Sequence, residues 1–596
     1  MDGFHVTIQT SASPTLSESP PVEHCLLPGS AYTVVIKSKE EVGIVVLLKL
    51  RLEAQPGFPD LDWHCGDVHV RRSSEDPEVE VFPCHKWIRT ADGNVEFRNA
   101  KVCLKKKETL AILTNHRERD LQQKQQWGTF VVDGPHCVDM SSVTALGPNF
   151  SYILNNVHYI KSFIERRTSW SSLQELETFF LFNGRENTIA KYVQAHWQED
   201  AFFGYQCLNL PPNLSVTSEM VRPFLPEDSS LEQEMERGHV YLLDYEVLDQ
   251  LPANTVNDKQ TYLAAPLCLL HYNRQGELKP IATQHWLLAK MWVRNSDFQV
   301  HQLLSHFLRT HLIGEVCCTA TLRQLPEIHP LHQLMPHIRS TLQINSQARV
   351  TLLATKGVFD KSIACGLEAI PLLSMCVPDD IRVRGLDALP ICYYAQDALG
   401  VWDALHRFAA GWIRLYYCND EDVQHDCELQ NWIREIFTYV HLTHLRFPQP
   451  FQTAAEMCKF VTMVIFSCSA LHAAVNFSQV CSVINKLTEV PAAMSRPPSQ
   501  TKGSVSSEDI FSFLPDVNSS CHVLSVLSLL SQPAIDFVPL CHYNEWYFSS
   551  GATVKLVEEV RRELKMIAKD IADRNSQLEL PYTCLSPDHI ENSVTI

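Results

Sequence analysis

Two segments of this 596-residue chain are apolar almost all the way round at helical length: Trp286 to Leu312 (WLLAKMWVRNSDFQVHQLLSHFLRTHL) and Ala454 to Val475 (AAEMCKFVTMVIFSCSALHAAV). A surface helix keeps a polar face, so this pattern predicts helices buried at the centre of a large bundle. The first hundred residues follow another pattern. Phe4 to Thr10, Ala31 to Lys37, Gly43 to Leu52 and Glu78 to Phe82 carry β-branched and aromatic residues, separated by Pro, Gly and Ser clusters. They predict the strands of a small β-sandwich. From Lys105 to Gln126 the composition turns charged and helical (KKKETLAILTNHRERDLQQKQQ), as expected of a connector into a second domain. The expected fold is multidomain α+β: a β-sandwich over 1–104, a connector over 105–126 and a large, mainly α-helical domain over 127–596. Ser11 to Pro21 and Met494 to Ser507 read as surface loops, and no internal repeat is found.

Composition narrows the ligand. The chain is 45% hydrophobic, enough for one large core and a smaller one. Its formal net charge of -18 argues against nucleic acid, whose phosphates need clustered Lys and Arg, and favours a neutral or apolar ligand. The 20 cysteines are scattered, with one adjacent pair (Cys317, Cys318) and no CxxC, which is neither a disulfide framework nor a zinc pattern. Met1 to Glu18 has no basic start followed by an apolar core, and no stretch is read as a membrane span. A cytoplasmic monomer, peripheral to membranes at most, is expected.

Polar residues inside the two buried helices need an explanation. With 26 histidines, chance alone gives roughly one HxxxxH pair. Four occur: His64/His69, His301/His306, His306/His311 and His332/His337. Each could equally be a core histidine satisfied by a hydrogen bond. Residues five apart on an α-helix point about 140° away from each other, so such a pair shares one metal only if the helix is locally widened into a π turn. His472 and Asn476 are four apart and share a face without distortion. Imidazole with amide or carboxylate oxygen, and no thiolate, suits iron better than structural zinc. Spacing alone does not choose His306/His311 over His301/His306.

The segment WLLAKMWVRNSDFQVHQLLSHFLRTHLIGEV, followed by ATLRQLPEIHPLHQLMPHIRSTLQINSQAR, resembles the central region of animal lipoxygenases. The similarity continues through TMVIFSCSALHAAVNFSQ, LPDVNSSC, RNSQLELPY and the terminal IENSVTI, covering most of residues 126–596. The N-terminal strands, with FPCHKW at 82–87, resemble the family's PLAT lipid-binding sandwich. The resemblance implies one non-heme iron held by His306, His311, His472, Asn476 and the terminal carboxylate of Ile596, with His301 a neighbour. It places Gln302 and Gln479 as amides that orient Asn476 and link the iron to the substrate cavity. It implies hydrogen abstraction from the methylene between two cis double bonds of a polyunsaturated fatty acid such as arachidonic or linoleic acid, then addition of O2. The product is a hydroperoxide.

By the same resemblance Phe298, Phe307, Leu312, Leu352, Val526 and Leu530 line the acyl chain, although core packing is equally compatible with them. Ala348 stands where the family has Ala in enzymes of S stereochemistry and Gly in those of R, which implies an S product. A hydroperoxide isomerase, and a lipid-binding relative without catalysis, are the alternatives. The sequence departs from the family pattern where TQH alone joins Ile281-Ala282 to the WLLAK helix. Shorter stretches also occur near Gly204 to Pro211, after Gly366 and around Ser11 to Gly29. After Gln479 the chain reads VCSVINKLTEVPAAM, where the family usually has a Trp and a Pro-Asn pair. The shortened sandwich loops are expected to lack the usual calcium ligands, so calcium-dependent docking is not expected. Trp63 and Phe58 are the candidates for reversible insertion into a membrane surface.

Overall fold

A computed structural model describes residues 4–10, 31–36, 44–52, 62–71, 78–126, 129–131, 136–138, most of 207–281, 286–335, 341–342, 345, 375–440, 450–483, 493–499 and 523, and most of 510–515 and 537–594. Among the described residues the N-terminal part is built of β-strands, with one 3-10 turn at Thr90–Asp92. Strands β1 (Phe4–Thr10), β2 (Ala31–Ile36), β4 (Asp62–Arg71) and β5 (Glu80–Arg89) form one antiparallel sheet in the order β2-β1-β4-β5, and β3 (Leu47–Arg51) pairs with β6 (Asn94–Arg98). Cys65, Val68, Val70, Phe82, Ile88 and Phe97 make the core between them, with Leu48, Leu50 and Val95 packed against it.

The sequence pattern missed β4 and β6, and stopped β5 early. In β4, DWHCGDVHVR, charges and a glycine mask the alternation, and a bulge between Cys65 and Asp67 shifts the inward face by one residue. Pro83 lies inside β5, but β5 is an edge strand, where a missing N–H costs no ladder bond.

The connector forms helix α1 (Ala111–Gln125), and its docking is electrostatic as well as apolar. Arg117, 1% exposed, donates from Nε (2.7 Å) and Nη2 to the two oxygens of Glu428, which belongs to a helix of the second part. Cys103 N–H donates to the Ile328 carbonyl nearby.

Beyond the connector a small antiparallel sheet, β7 (Leu208–Asn209), β8 (Val240–Asp244), β9 (Leu267–Tyr272) and β10 (Leu278–Pro280), runs in the order β10-β9-β8-β7 beside a helical bundle. The expected buried helices are its centre, and both are longer than the apolar pattern suggested. Helix α2 (Trp286–Val300) passes without a break into a π-helix (His301–Leu312) and then into α3 (Ile313–Gln324). Helices α4 (Tyr393–Tyr416) and α5 (Cys427–Val440) pack around them. Helix α6 (Ala454–Phe466) passes through a second π segment (Ser467–Leu471) into α7 (His472–Val483), and α8 (Gly551–Asn575) lies against α4.

The helix over Ala454–Phe477 is long and apolar enough to cross a membrane, but 94% of its most apolar stretch is buried inside the protein. It is a core helix, because neighbouring helices, rather than lipid, cover its apolar surface on every side.

Candidate metal centre

The two π segments deliver the site. In the first, the wider turn brings His306 and His311 onto one face, as their five-residue spacing requires. Their ring centroids are 4.8 Å apart and their Nε2 atoms 3.1 Å apart. Widening an α-helix disturbs the regular carbonyl partners, and local hydroxyls and an amide take some of them up. Thr310 Oγ1 donates to the His306 carbonyl, and Asn345 Nδ2 donates to the His311 carbonyl at 2.9 Å. In the second, Ser469 Oγ donates to the Ile465 carbonyl at 2.6 Å, one turn before His472 opens α7.

His472 completes a triangle, with ring centroids 5.4 Å from His306 and 5.2 Å from His311. One ligand nitrogen from each of the three rings lies within 4.8 Å of the other two, and all three residues are buried. Burial, joined by the neighbouring rings, drives the His306 pKa well below its ordinary value, and burial brings that of His311 to about 4. Both imidazoles are therefore neutral at physiological pH, the form that binds metal.

The fit to a cation follows from the tautomers. His311 Nδ1 donates to Asn345 Oδ1 at 2.9 Å, so its Nε2 carries a lone pair; His306 Nδ1 faces Gln302 Oε1 at 3.5 Å, which leaves its Nε2 in the same state. Two lone pairs 3.1 Å apart repel each other unless a cation sits between them. Nitrogens on adjacent vertices around a metal, with bonds of about 2.1 Å, lie about 3 Å apart. The donor set, imidazole without thiolate, suits iron.

The structure also separates the histidines that spacing left open. His301 Nε2 donates to the Val475 carbonyl at 2.8 Å, tying the first helix to α7, and its ring centroid stays 6.3 Å from His306. His332 Nδ1 donates to the Leu325 carbonyl at 2.9 Å, as a satisfied core histidine does. A second buried cluster, His329 with Asp426 and Glu428, is already saturated by protein. His329 and Tyr417 donate to Asp426 Oδ2, the Glu428 and Leu429 N–H groups donate to Asp426 Oδ1, and Glu428 is held by Arg117.

Asn476 lies one turn after His472 and is 1% exposed. Phe298 and Leu312 are buried, whereas Phe307 is the one half-buried residue of the twelve in the π-helix, its ring 6.3 Å from that of His311. Trp63 is half-buried in β4. Ile596, Ala348, Leu352, Val526, Leu530, Phe58 and the side chain of Gln479 lie outside the described residues. Sequence reasoning missed Asn345 and Glu315, which hydrogen-bond around His311; a glutamate in an otherwise apolar stretch was the available signal for the second.

Comparison with known proteins decides which chemistry this triangle serves. A family profile described as Lipoxygenase matches residues 282–584, the stretch that holds all three histidines. Mouse polyunsaturated fatty acid lipoxygenase ALOX8 is 37% identical over 99% of this chain and 97% of its own length.

The chain belongs to the lipoxygenase family.

Lipoxygenases are dioxygenases acting on polyunsaturated fatty acids and use non-heme iron, with which the histidine cluster is compatible. Mouse hydroperoxide isomerase ALOXE3 is 34% identical, covering 95% of this chain and 93% of that relative. Both alignments, of 664 and 672 positions, are longer than the 596-residue chain, so these relatives carry segments this lipoxygenase lacks. Among solved structures, a lipoxygenase in complex with arachidonate aligns at TM-score 0.85 and 25% identity over the whole of both chains. Coral 8R-lipoxygenase, whose structure is described as calcium-activated through a C2-like domain, aligns at 0.84 and 26%, over 100% of this chain and 97% of that one.

Proposed function

We propose that this lipoxygenase converts arachidonic or linoleic acid and O2 into S-hydroperoxy fatty acids. The observation that carries the reading is the triangle of buried imidazoles from His306, His311 and His472. Asn476 and the carboxylate of Ile596 complete the ligand set in this reading. When bound, iron supplies the one-electron chemistry that removes a hydrogen atom from the methylene between two cis double bonds.

The protein's own residues do the rest. Burial keeps His311 unprotonated until pH falls toward about 4 and pushes His306 in the same direction, so their ligation does not compete with protons at neutral pH. Gln302 holds the Nδ1 face of His306, and Gln479 serves Asn476 in the same way. Phe298, Phe307 and Leu312, with Leu352, Val526 and Leu530, wall the acyl chain and exclude water from the carbon radical. Alanine at position 348, where the family has Ala in S enzymes and Gly in R enzymes, supports S stereochemistry. The N-terminal strands act as a PLAT-like module, 1–104, and the catalytic domain is 127–596. The protein is a cytoplasmic monomer that touches membrane surfaces reversibly through Trp63 and Phe58, without a requirement for calcium.

The similarity to the hydroperoxide isomerase supports a second reading, in which the same centre isomerises a lipid hydroperoxide to an epoxy alcohol. One experiment separates them. The purified protein is assayed for iron and for conjugated-diene absorbance with arachidonic or linoleic acid in air and a trace of hydroperoxide. A rise that His472→Ala abolishes, with mostly S product on a chiral column, supports the dioxygenase. Consumption of hydroperoxide but not of free fatty acid assigns the isomerase. Stoichiometric iron with neither reaction rejects both.

A further inference from the structure

Glu315 is a charged residue in the middle of ten consecutive buried positions, Ile313 to Leu322, and the proposed chemistry does not use it. A carboxylate in such a place is costly unless it is hydrogen-bonded. It accepts from Asn345 Nδ2 at 2.7 Å, while the other end of that amide, Oδ1, accepts from His311 Nδ1 at 2.9 Å. Asn345 also donates to the His311 carbonyl at 2.9 Å, so one side chain fixes both the ring and the backbone of that residue. Glu315 and Asn345 are each 2% exposed, and His311 is 7% exposed. Four residues separate His311 from Glu315, which puts both on the side of the helix that Asn345 covers.

We infer that Glu315 and Asn345 are positioning residues that set the donor strength of His311 and, through it, the reduction potential of the bound metal. The inference rests on reading the histidine triangle as the iron site. The carboxylate polarises the Asn345 amide. The amide oxygen then draws harder on the Nδ1 hydrogen of His311, and Nε2 becomes the more basic for it. Stronger nitrogen donation stabilises the higher charge of the metal, so the relay favours the ferric over the ferrous form. The amide passes the influence of the charge on and, by accepting at Oδ1, keeps the His311 tautomer fixed.

The test uses the full-length, iron-loaded protein and its Glu315→Gln and Asn345→Ala variants. Iron per chain, the ferric EPR signal during a mediated redox titration, and kcat and KM for arachidonic acid are measured. Glu315→Gln keeps an acceptor for Asn345 but removes the charge. It is expected to retain iron within about twofold while shifting the ferric-to-ferrous ratio about tenfold toward ferrous, about 59 mV for one electron. kcat falls and KM stays. Asn345→Ala is expected to lose about 10- to 100-fold in iron affinity. Should Glu315→Gln not fold, Asn345→Ala carries the same midpoint test. A wild-type midpoint and kcat in the folded variant overturn the relay while leaving the metal reading intact. Wild-type protein that binds no iron overturns the metal reading, and the relay with it.

Discussion

Replacing His301 by glutamine tests whether the buried histidines are sorted correctly. His301 lies on the same helix as the His306–His311 pair and five residues from His306, yet it donates to the Val475 carbonyl at 2.8 Å. Burial lowers its pKa to about 4, against 6.5 for an exposed imidazole. Between those values the unfolded chain binds a proton that the folded chain does not. Stability is therefore fully present above about pH 6.5 and is lost as pH falls toward 4. One proton is worth about 1.4 kcal/mol per pH unit, so this residue alone costs about 3 kcal/mol across the window. That is a large part of the 5–15 kcal/mol typical of a folded domain. Glutamine does not titrate and its amide N–H can replace the bond to Val475. His301→Gln is expected to keep its iron and to lose about 1 kcal/mol at pH 7 through imperfect packing and hydrogen bonding. Relative to wild type it should then gain about 3 kcal/mol by pH 4. Urea unfolding followed by tryptophan fluorescence at half-unit pH steps reads this directly. Parallel stability curves, or loss of iron from the variant, would refute the assignment.

Two further outcomes follow from buried charge. Arg117→Ala strands Glu428 without its bidentate partner and is expected to cost about 3–5 kcal/mol, whereas the apolar pair Arg117→Met with Glu428→Leu recovers most of it; thermal melts with limited proteolysis at the connector check both. Asp297 is held at about pH 7 by burial, despite the Tyr245 hydroxyl that donates to it at 2.8 Å. The folded chain keeps that proton while the unfolded chain sheds it near 3.8, so wild-type stability falls as pH rises from about 4 to 7. Asp297→Asn removes this dependence and should gain on wild type by about 4 kcal/mol across the window, measured by denaturant midpoints at the two ends.

Much of the architecture was legible in the chain. The all-round apolar pattern announced the two central helices, and clusters of β-branched and aromatic residues marked the strand-rich start. β4 was missed because its bulge breaks the alternation on which strand reading depends, and the bulge exists only when β1 and β5 are paired beside it. That helix α6 is a core helix is likewise not written in its own residues: α4 packs along it and Trp432 and Phe437 of α5 lie against its Phe460, and those neighbours come from distant parts of the chain.

The site divides along the same line. Residue spacing by itself determined that HxxxxH needs a π turn to hold one metal, and that His472 and Asn476 need none, because helical angles are local and follow from chain geometry. Resemblance of motifs named the family. The choice among His301, His306 and His311 was decided by tertiary structure, since it depends on where α7 passes: its Val475 carbonyl occupies His301, while its first residue, His472, faces the other two. Asn345 is the extreme case. It is thirty-four positions from His311, and only packing brings its amide between that imidazole and the carboxylate of Glu315.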